Sequence, residues 1–213
     1  MKELNKKVAV ITGAGSGIGR ALAWHLARQG CHLALSDVNV EGLRETAEQA
    51  RKLGVTVSEQ RVDVADRAAV EAWAEQIVVE FGRVNAIFNN AGVAQGGTVE
   101  GNDHADYEWI MNINFWGVVN GTKAFLPYLK NAGQGHVINV SSVFGLFSQP
   151  GMSAYNATTV ERVALNETKT SLLWGTECAT KSEVKEENET RWETHWLNAN
   201  EIVGDQGTEY SAY

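Results

Sequence analysis

The sequence predicts an α/β protein with a doubly wound, Rossmann-like parallel sheet, and three observations support this fold class. Short apolar runs rich in β-branched residues, such as KVAVIT at 7–12, alternate with longer stretches in which apolar residues recur at helical spacing. A glycine-rich loop follows the first of these runs. A strand, a helix and a second strand that follow one another at this spacing form a right-handed crossover, and repeated crossovers form a parallel sheet.

Five strands are predicted in the first 158 residues, and the first is a short apolar run typical of a strand that is buried on both faces. They cover residues 7–12, 31–37, 55–64, 84–92 and 135–142. Four helices lie between them and cover residues 19–30, 40–54, 66–82 and about 105–131. The first two helices end at Gly30 and Gly54, because glycine is the usual residue at a helix C-terminus.

Residues 159–213 differ in composition from the rest of the chain. They contain 11 acidic and 5 basic residues and so carry −6 of the formal net charge of −8. No clear succession of strands and helices is predicted there. The polar stretch KSEVKEENETRWETH is compatible with a solvated helix or with disorder. Three tryptophans in the same region, Trp174, Trp192 and Trp196, argue against disorder alone.

Composition excludes several classes of function. The net charge of −8, the pI of about 5.2 and the absence of a basic stripe exclude a nucleic-acid-binding protein. The apolar runs are too short to span a membrane, and the first residues lack the apolar region of a signal peptide. The two cysteines, Cys31 and Cys178, have no metal-type spacing. We therefore expect no metal site and a reduced, cytoplasmic protein.

The loop TGAGSGIGR at 12–20 is the first candidate functional feature. Its glycines fit the pattern G-x-x-x-G-x-G at Gly13, Gly17 and Gly19, with Ser16 and Ile18 between them. Residues without Cβ let backbone amides approach a pyrophosphate, and the helix N-terminus that follows adds unpaired N–H groups and partial positive charge. The pattern predicts a dinucleotide phosphate site. The alternative is a tight turn whose glycines serve packing alone.

Asp37, at the end of the second predicted strand, indicates which dinucleotide binds. A carboxylate there accepts hydrogen bonds from the adenosine ribose hydroxyls and repels a 2′-phosphate. Val38 and Ser16 bring no compensating positive charge. The prediction is NAD rather than NADP. The alternative is an aspartate that caps a helix or lies on the surface.

These features, taken with motifs further along the chain, resemble the short-chain dehydrogenase/reductase family. The motifs occur in the order and spacing of that family: TGAGSGIG, Asp37, DV at 63–64, NNAG at 89–92, NINFWG at 112–117, NVSSVFG at 139–145 and Tyr155. The resemblance covers about residues 1–158. It implies a Rossmann-like, NAD-dependent oxidoreductase that acts on a small alcohol or carbonyl compound.

The resemblance also implies roles for individual residues. Tyr155 would be the general acid/base, Ser142 would orient the substrate carbonyl, and Asn114 would anchor a proton relay. The further positions that it places beside the cofactor are Asp63, Val64, Asn90, Ala91 and Gly92. The apolar helix at 105–131 would pair with its copy in a homodimer or homotetramer, with core packing alone as the alternative.

The family pattern fails four residues after Tyr155. The family has a lysine there, which favours the phenolate and holds the nicotinamide ribose, whereas this chain has Thr159. The sequence beyond Thr158 departs from the family, as after a shifted reading frame or a gene fusion. We therefore expect a dinucleotide-binding domain at 1–158 and a non-family C-terminal segment at 159–213.

Two expectations follow from this departure. The fifth strand would lie at an exposed edge of the sheet, because the family's next strand is missing. The chain would still bind NAD while its turnover is weakened, so the alternative function is a catalytically impaired NAD-binding protein.

Overall fold

The structure is a computed structural model that describes residues 4–133, 135–145 and 148–159 and the backbone of three strands between residues 169 and 198. Five strands come first, namely β1 (Val8–Thr12), β2 (His32–Asp37), β3 (Val57–Arg61), β4 (Ala86–Asn89) and β5 (His136–Ser141). The helices are α1 (Gly17–Arg28), α2 (Val40–Arg51), α3 (Arg67–Phe81), α4 (His104–Met111), α5 (Gly117–Asn131) and α6 (Ser153–Thr159). A 3-10 turn, Val143–Gly145, follows β5.

The first five strands are parallel and lie in the order β3-β2-β1-β4-β5, which confirms the predicted doubly wound fold. β1 lies at its centre, where Val10 is opposite Ala34 of β2 on one side and Ile87 of β4 on the other. The chain leaves β1 in one direction toward β2 and later in the opposite direction toward β4. This reversal opens a crevice at the carboxyl ends of these strands, where open α/β sheets bind ligands.

The central parallel strands β1, β2 and β4 are largely buried on both faces, so their apolar residues alternate between two cores. Ile11 and Leu33 pack beneath α1 and α2. Val10 packs on the opposite face beneath α3 and α5. Trp73 and Phe125 are fully buried there, with their rings edge to face at a centroid distance of 5.3 Å. The two cores hold the strand ends, and hence the crevice, in a fixed arrangement.

The helix predicted at 105–131 is interrupted. α4 and α5 are joined by a π-helical turn, Asn112–Trp116, in which the N–H of Gly117 donates to the carbonyl of Asn112. The extra residue in such a turn shifts the helical register, and π turns are frequent at functional sites. No helix among the described residues is long and apolar enough to cross a membrane.

Three strands follow α6, and they correct two expectations. β6 (Lys169–Trp174) pairs in parallel with β5, and β7 (Glu177–Glu186) and β8 (Glu189–Asn198) continue the sheet in antiparallel fashion. The expectation that β5 lies at an exposed edge is therefore wrong. The solvated-helix and disorder alternatives for KSEVKEENETRWETH are wrong where its residues belong to β7 and β8; residues 187–188 lie outside the described part. The domain boundary at residue 159 stays a prediction.

Candidate active site

The candidate site residues follow the carboxyl ends of β1 to β5. Gly13 to Gly19 follow β1, Asp37 ends β2, and Val38 follows it. Asp63 and Val64 follow β3, Asn90 to Gly92 follow β4, and Ser142 follows β5. Asn114 and Tyr155 come from the π turn and α6, which pack beside this edge. The parallel topology thus brings together residues that are far apart in the sequence.

The glycine loop after β1 has a backbone shape that side chains oppose. Gly13 and Gly17 have positive φ angles of 64° and 51°. A Cβ on Gly19 would overlap the carbonyl oxygen of Gly13, and a Cβ on Gly13 would lie 2.8 Å from Cα of Ala91. A Cβ on Gly17 would meet nothing within 4 Å. The loop is therefore packed at Gly13 and Gly19 and open at Gly17, so a ligand can approach the backbone there.

The N-terminus of α1 provides unpaired donors at this opening. The side chain of Ser16 makes no capping hydrogen bond, whereas Asn39 caps α2 and Asp66 caps α3. The first helical bond runs from the N–H of Arg20 to the carbonyl of Ser16 at 3.1 Å. Within the described part of the chain, the amides of residues 17–19 have no partner. Free amides at the positive end of a helix fit a diphosphate.

Asp37 contacts the glycine loop directly. Its Oδ2 accepts a hydrogen bond from the N–H of Gly15 at 2.7 Å, and its Oδ1 accepts one from the N–H of Asn39 at 2.8 Å. These two bonds fix the plane of the carboxylate beside the loop. A carboxylate oxygen has a further lone pair, so both oxygens can still accept from ribose hydroxyls. Val38 is exposed next to it.

Arg20 supports the same loop and was not among the predicted site residues. Its guanidinium donates to the carbonyl of Gly15 at 2.6 Å and to Oγ1 of Thr46 at 3.1 Å, and it pairs with Glu45 at 3.0 Å. These contacts bind the loop after β1 to α2. No local signal in the sequence identifies an arginine that binds a loop carbonyl five residues earlier and a helix twenty-five residues later.

Thr12 and Asn90 join the loop after β4 to the glycine loop. Oγ1 of Thr12 accepts hydrogen bonds from the N–H groups of Asn90 and Ala91, each at 3.0 Å. The side-chain amide of Asn90 donates to the carbonyls of Thr12 at 2.9 Å and Gly13 at 3.0 Å. Asn90 and Ala91 therefore brace the start of the glycine loop. Thr12 was not among the predicted site residues, although it is the last residue of β1.

Asp63 and Val64 form the turn after β3. Oδ1 of Asp63 accepts from the N–H of Ala65 at 2.9 Å, and the carbonyl of Val64 accepts from the side chain of Asn120 at 2.9 Å. A Cβ on Gly117 would lie 2.7 Å from the side chain of Val64. The turn is thus packed closely against the start of α5, one strand farther from the centre than Asp37.

Asn114 connects three parts of the site. Its Oδ1 accepts from the N–H of Val93 at 2.8 Å. Its Nδ2 donates to the carbonyl of Val93 at 2.8 Å and to Oγ1 of Thr158 at 3.0 Å. Gly92 lies directly against it, since a Cβ there would be 3.5 Å from Oδ1 of Asn114. The asparagine therefore holds the loop after β4 and the end of α6 to the π turn.

Ser142 and Tyr155 are linked through Phe144. Oγ of Ser142 accepts from the N–H of Phe144 at 3.2 Å. The ring of Phe144 contacts the ring of Tyr155 edge to face, at a centroid distance of 6.0 Å and an interplanar angle of 82°. Tyr155 is half-buried. Its hydroxyl has no hydrogen-bond partner among the described side chains, which leaves the phenol available to a ligand.

Thr159 occupies the position four residues after Tyr155 and is turned into the protein. Its side chain is buried, and its Oγ1 donates to the carbonyl of Asn156 at 3.1 Å. Its own carbonyl accepts from Oγ of Ser141 at 3.3 Å. No hydrogen bond or ion pair joins a described lysine or arginine to Tyr155. The site as described therefore has a candidate acid/base without an adjacent cation.

A sequence profile of the family described as short chain dehydrogenase matches residues 7–167, well over half of the chain. The chain belongs to this family. The resemblance found in the motifs is thereby confirmed, and the family profile extends past Thr159 to residue 167.

Individual relatives are similar to this chain over most of its length. SadH of Mycobacterium tuberculosis (strain H37Rv) is 54% identical over 157 residues, which are 74% of this chain and 57% of SadH. The 3-oxoacyl-[acyl-carrier-protein] reductase FabG of Thermotoga maritima is 31% identical over 172 residues, which are 81% of this chain and 70% of FabG. This chain thus spans a little over half the length of SadH.

Solved structures of the family are also similar. A short chain dehydrogenase/reductase from Burkholderia phymatum in complex with NAD has a TM-score of 0.76 and 38% identity, over 82% of this chain and 66% of that one. An NAD⁺-bound xylitol dehydrogenase has a TM-score of 0.72 and 32% identity, over 74% of this chain and 61% of that one.

Proposed function

We propose that this chain binds NAD and transfers a hydride between NAD(H) and a small alcohol or carbonyl compound. The observation that carries the proposal is the glycine loop: it is open at Gly17, is followed by three unpaired helical amides, and has the carboxylate of Asp37 bonded to it. A diphosphate and a ribose need these groups side by side. The NAD complexes of related proteins support the same cofactor.

NAD rather than NADP is the proposed cofactor because of the charge beside the loop. A 2′-phosphate on the adenosine ribose would approach the carboxylate of Asp37. The neighbouring Val38 is neutral and exposed, and the guanidinium of Arg20 is already paired with Glu45 and bonded to the loop carbonyl of Gly15. Neither Val38 nor Arg20 therefore supplies a free cation that would offset the repulsion of the phosphate.

The proposed chemistry assigns one proton transfer to the chain. The nicotinamide ring, when bound, accepts or donates the hydride. Oxidation of an alcohol releases a proton from its hydroxyl, and reduction of a carbonyl requires a proton at its oxygen. We assign this transfer to the phenol of Tyr155, whose hydroxyl is unengaged, because a general acid/base needs a free hydrogen-bonding position toward substrate.

Ser142 and Asn114 have supporting roles in this proposal. Oγ of Ser142 accepts from the N–H of Phe144, so its own hydrogen remains available to donate to a substrate oxygen. Asn114 is the anchor of the relay. Its amide is already bonded to Val93 and Thr158, so it acts by holding the loop after β4 and α6 in place.

The second candidate function is an NAD-binding protein with little turnover, and Thr159 favours it. A tyrosine phenol in water has a pKa near 10, so only on the order of one phenol in a thousand is ionised at neutral pH. A neighbouring cation raises that fraction, and Thr159 is neutral, buried and bonded to Asn156. The adenosine half of the site does not depend on this residue.

Calorimetry and a substrate panel separate the two candidates. We expect NAD and ADP-ribose to bind, and NADP to bind at least about tenfold more weakly, which corresponds to roughly 1.4 kcal/mol. NADH formation with a panel of primary and secondary alcohols then supports the oxidoreductase. Binding without NADH formation supports the second candidate. Absence of NAD binding refutes both.

The proposal includes a homodimer or homotetramer in the cytoplasm. Trp109 of α4 and Trp116 of the π turn that follows it are 47% and 49% exposed, which leaves two large aromatic side chains on the surface. Contact with the same helix of a second copy would bury them. Light scattering of the purified protein measures the oligomeric state.

A further inference from the structure

A hydrogen-bonded cluster lies at the start of α6, outside the residues assigned so far. Its centre is Oγ of Ser153, the first residue of that helix. Ser153 Oγ donates to the carbonyl of Gly97 at 3.0 Å, lies 2.8 Å from the hydroxyl of Tyr107, and accepts from Nδ2 of Asn102 at 3.3 Å. One serine hydroxyl thus joins the loop after β4, helix α4 and helix α6.

The direction of these bonds follows from the single hydrogen of a serine hydroxyl. That hydrogen is directed to the carbonyl of Gly97, which can only accept. Ser153 Oγ therefore has no hydrogen left for its contact with Tyr107, so in that contact the hydroxyl of Tyr107 donates and Ser153 Oγ accepts. The result is a directed chain from Tyr107 through Ser153 to Gly97. Each member of such a chain polarises the next and strengthens it.

Gly97 makes further contacts with the segment that leads into α6. Its N–H donates to the carbonyl of Gly151 at 2.6 Å, and its carbonyl also accepts from the N–H of Ser153 at 3.1 Å. Gly97 and Met152 form an isolated parallel bridge. A Cβ on Gly97 would overlap the side-chain amide of Asn102. Several bonds thus join the loop after β4 to the start of α6, and the bond from Ser153 Oγ is one of them.

Helix α6 needs such anchors because it has only seven residues, Ser153–Thr159. A helix of two turns is not stable by itself, so tertiary contacts set its position. The contact of Thr158 with Asn114 and that of Thr159 with Ser141 fix its end. Ser153 fixes its beginning, two residues before Tyr155. Since the hydroxyl of Tyr155 has no hydrogen-bond partner among the described residues, the position of its phenol follows that of α6.

We propose that the Tyr107–Ser153–Gly97 chain is a positioning device that sets the rotation of α6 and thereby the place of the Tyr155 phenol. Tyr107 and Ser153 are positioning residues that act through the helix. The inference rests on the proposed acid/base role of Tyr155. A displacement of a catalytic group by 1 Å lowers a rate by on the order of 100-fold, so a small rotation of α6 has a large effect.

The test compares Tyr107→Phe and Ser153→Ala with Tyr128→Phe. Tyr128 lies on α5, is partly buried, and makes no hydrogen bond through its hydroxyl in the described structure, so its variant controls for loss of a phenol. Each protein is labelled with an isotope at the phenolic carbon of its tyrosines. The NMR signal of Tyr155 is identified by its disappearance in Tyr155→Phe.

We expect the Tyr155 signal to shift in Tyr107→Phe and Ser153→Ala but not in Tyr128→Phe. The effects of the first two should not add in the double variant, because both break the same chain. Ser153→Thr, which keeps the hydroxyl, should restore the wild-type signal. NAD affinity should stay within about twofold of wild type in Tyr107→Phe and Ser153→Ala, since the glycine loop is untouched. If the wild type forms NADH, kcat should fall by on the order of 10- to 100-fold in these variants with little change in KM.

The NMR readout needs neither cofactor nor turnover, so it is independent of the proposed function. If the wild type binds no NAD, the proposed function fails while the positioning test still gives its answer. An unchanged Tyr155 signal in a folded Tyr107→Phe protein overturns the inference. So does a Tyr155 signal that shifts equally in Tyr128→Phe. Should Ser153→Ala fail to fold, Tyr107→Phe decides, because it removes one oxygen from a half-buried ring.

Discussion

Replacement of Thr159 by lysine would supply a cation one helical turn beyond Tyr155. Both residues belong to α6. Side chains at positions i and i+4 lie on the same helical face, with Cβ atoms about 5–6 Å apart, so a lysine ammonium at 159 can reach the phenol of Tyr155. The side chain would leave the buried position of the threonine and point toward the phenol.

The expected gain follows from the distance and the environment. At about 4 Å and an effective dielectric constant of about 20, a unit charge stabilises a phenolate by roughly 4 kcal/mol. At about 1.36 kcal/mol per factor of ten, this raises the phenolate fraction at neutral pH by up to roughly 1,000-fold. If proton removal by Tyr155 limits alcohol oxidation, the rate of oxidation should rise by at most the same factor.

The same change has a stability cost. Thr159 is 9% exposed, and its hydroxyl bonds to the carbonyl of Asn156. Loss of that bond and partial burial of the new charge should lower the free energy of unfolding by about 1–3 kcal/mol. Thr159→Met is the matched control, because methionine has a similar length and no charge. It should show the stability loss without the gain in rate.

The assay is NADH formation from a fixed alcohol across a pH series, with NAD affinity measured in parallel. Thr159→Lys should raise kcat near neutral pH and extend activity toward lower pH, whereas Thr159→Met should not. A folded, NAD-binding Thr159→Lys protein with the kcat of Thr159→Met would refute the reasoning. The limit on turnover would then lie elsewhere in the chain, for example in the part beyond residue 159.

Three further predictions concern the rest of the molecule. Gly17→Ala should lower NAD affinity at least about tenfold, because the new methyl group enters the open space above the loop. Gly54 is the control position, since it has a φ of +85° and equally free surroundings. Gly54→Ala should strain the backbone similarly but leave the NAD affinity measured by calorimetry unchanged. Asp37→Ser should reduce the preference for NAD over NADP at least about tenfold in the same calorimetry, since the negative charge is removed. Burial raises the pKa of the Cys31 thiol to about 12. Because the unfolded thiol ionises near pH 9 and the folded one does not, the contribution of Cys31 to the free energy of unfolding should fall as the pH rises from about 9 toward 12. Urea unfolding at pH 8 and 10 should therefore show a larger loss of stability for wild type than for Cys31→Ala. Equal losses would contradict this.

The sequence predicted those parts of the site that depend on local spacing. The glycines of the loop can be recognised because each serves a backbone shape within seven residues, and Asp37 because it ends a strand. Thr12 and Arg20 could not be recognised, since their partners are backbone groups brought close by the parallel sheet. The contact between Tyr107 and Ser153 spans 46 residues and has no sequence signature.

The C-terminal strands were missed for a different physical reason. Polar composition suggested a solvated segment, although threonine and tryptophan alternate with charged or histidine residues from Thr190 to Trp196. Such alternation and residues of high β propensity are typical of a strand exposed on one face. The π turn was also missed, because one extra residue within a long apolar helix leaves the overall helical pattern intact.

The position of β1 in the middle of the sheet has a consequence for the order of folding. Val8 pairs with His32 across 24 residues, whereas Ala9 pairs with Ala86 across 77. Closure of the longer loop costs about 1 kcal/mol more chain entropy. Pairing of β1 with β2 is therefore the cheaper first step, and contacts between distant residues follow later. The glycine loop should take shape on the nascent chain before Asn90 arrives to brace it.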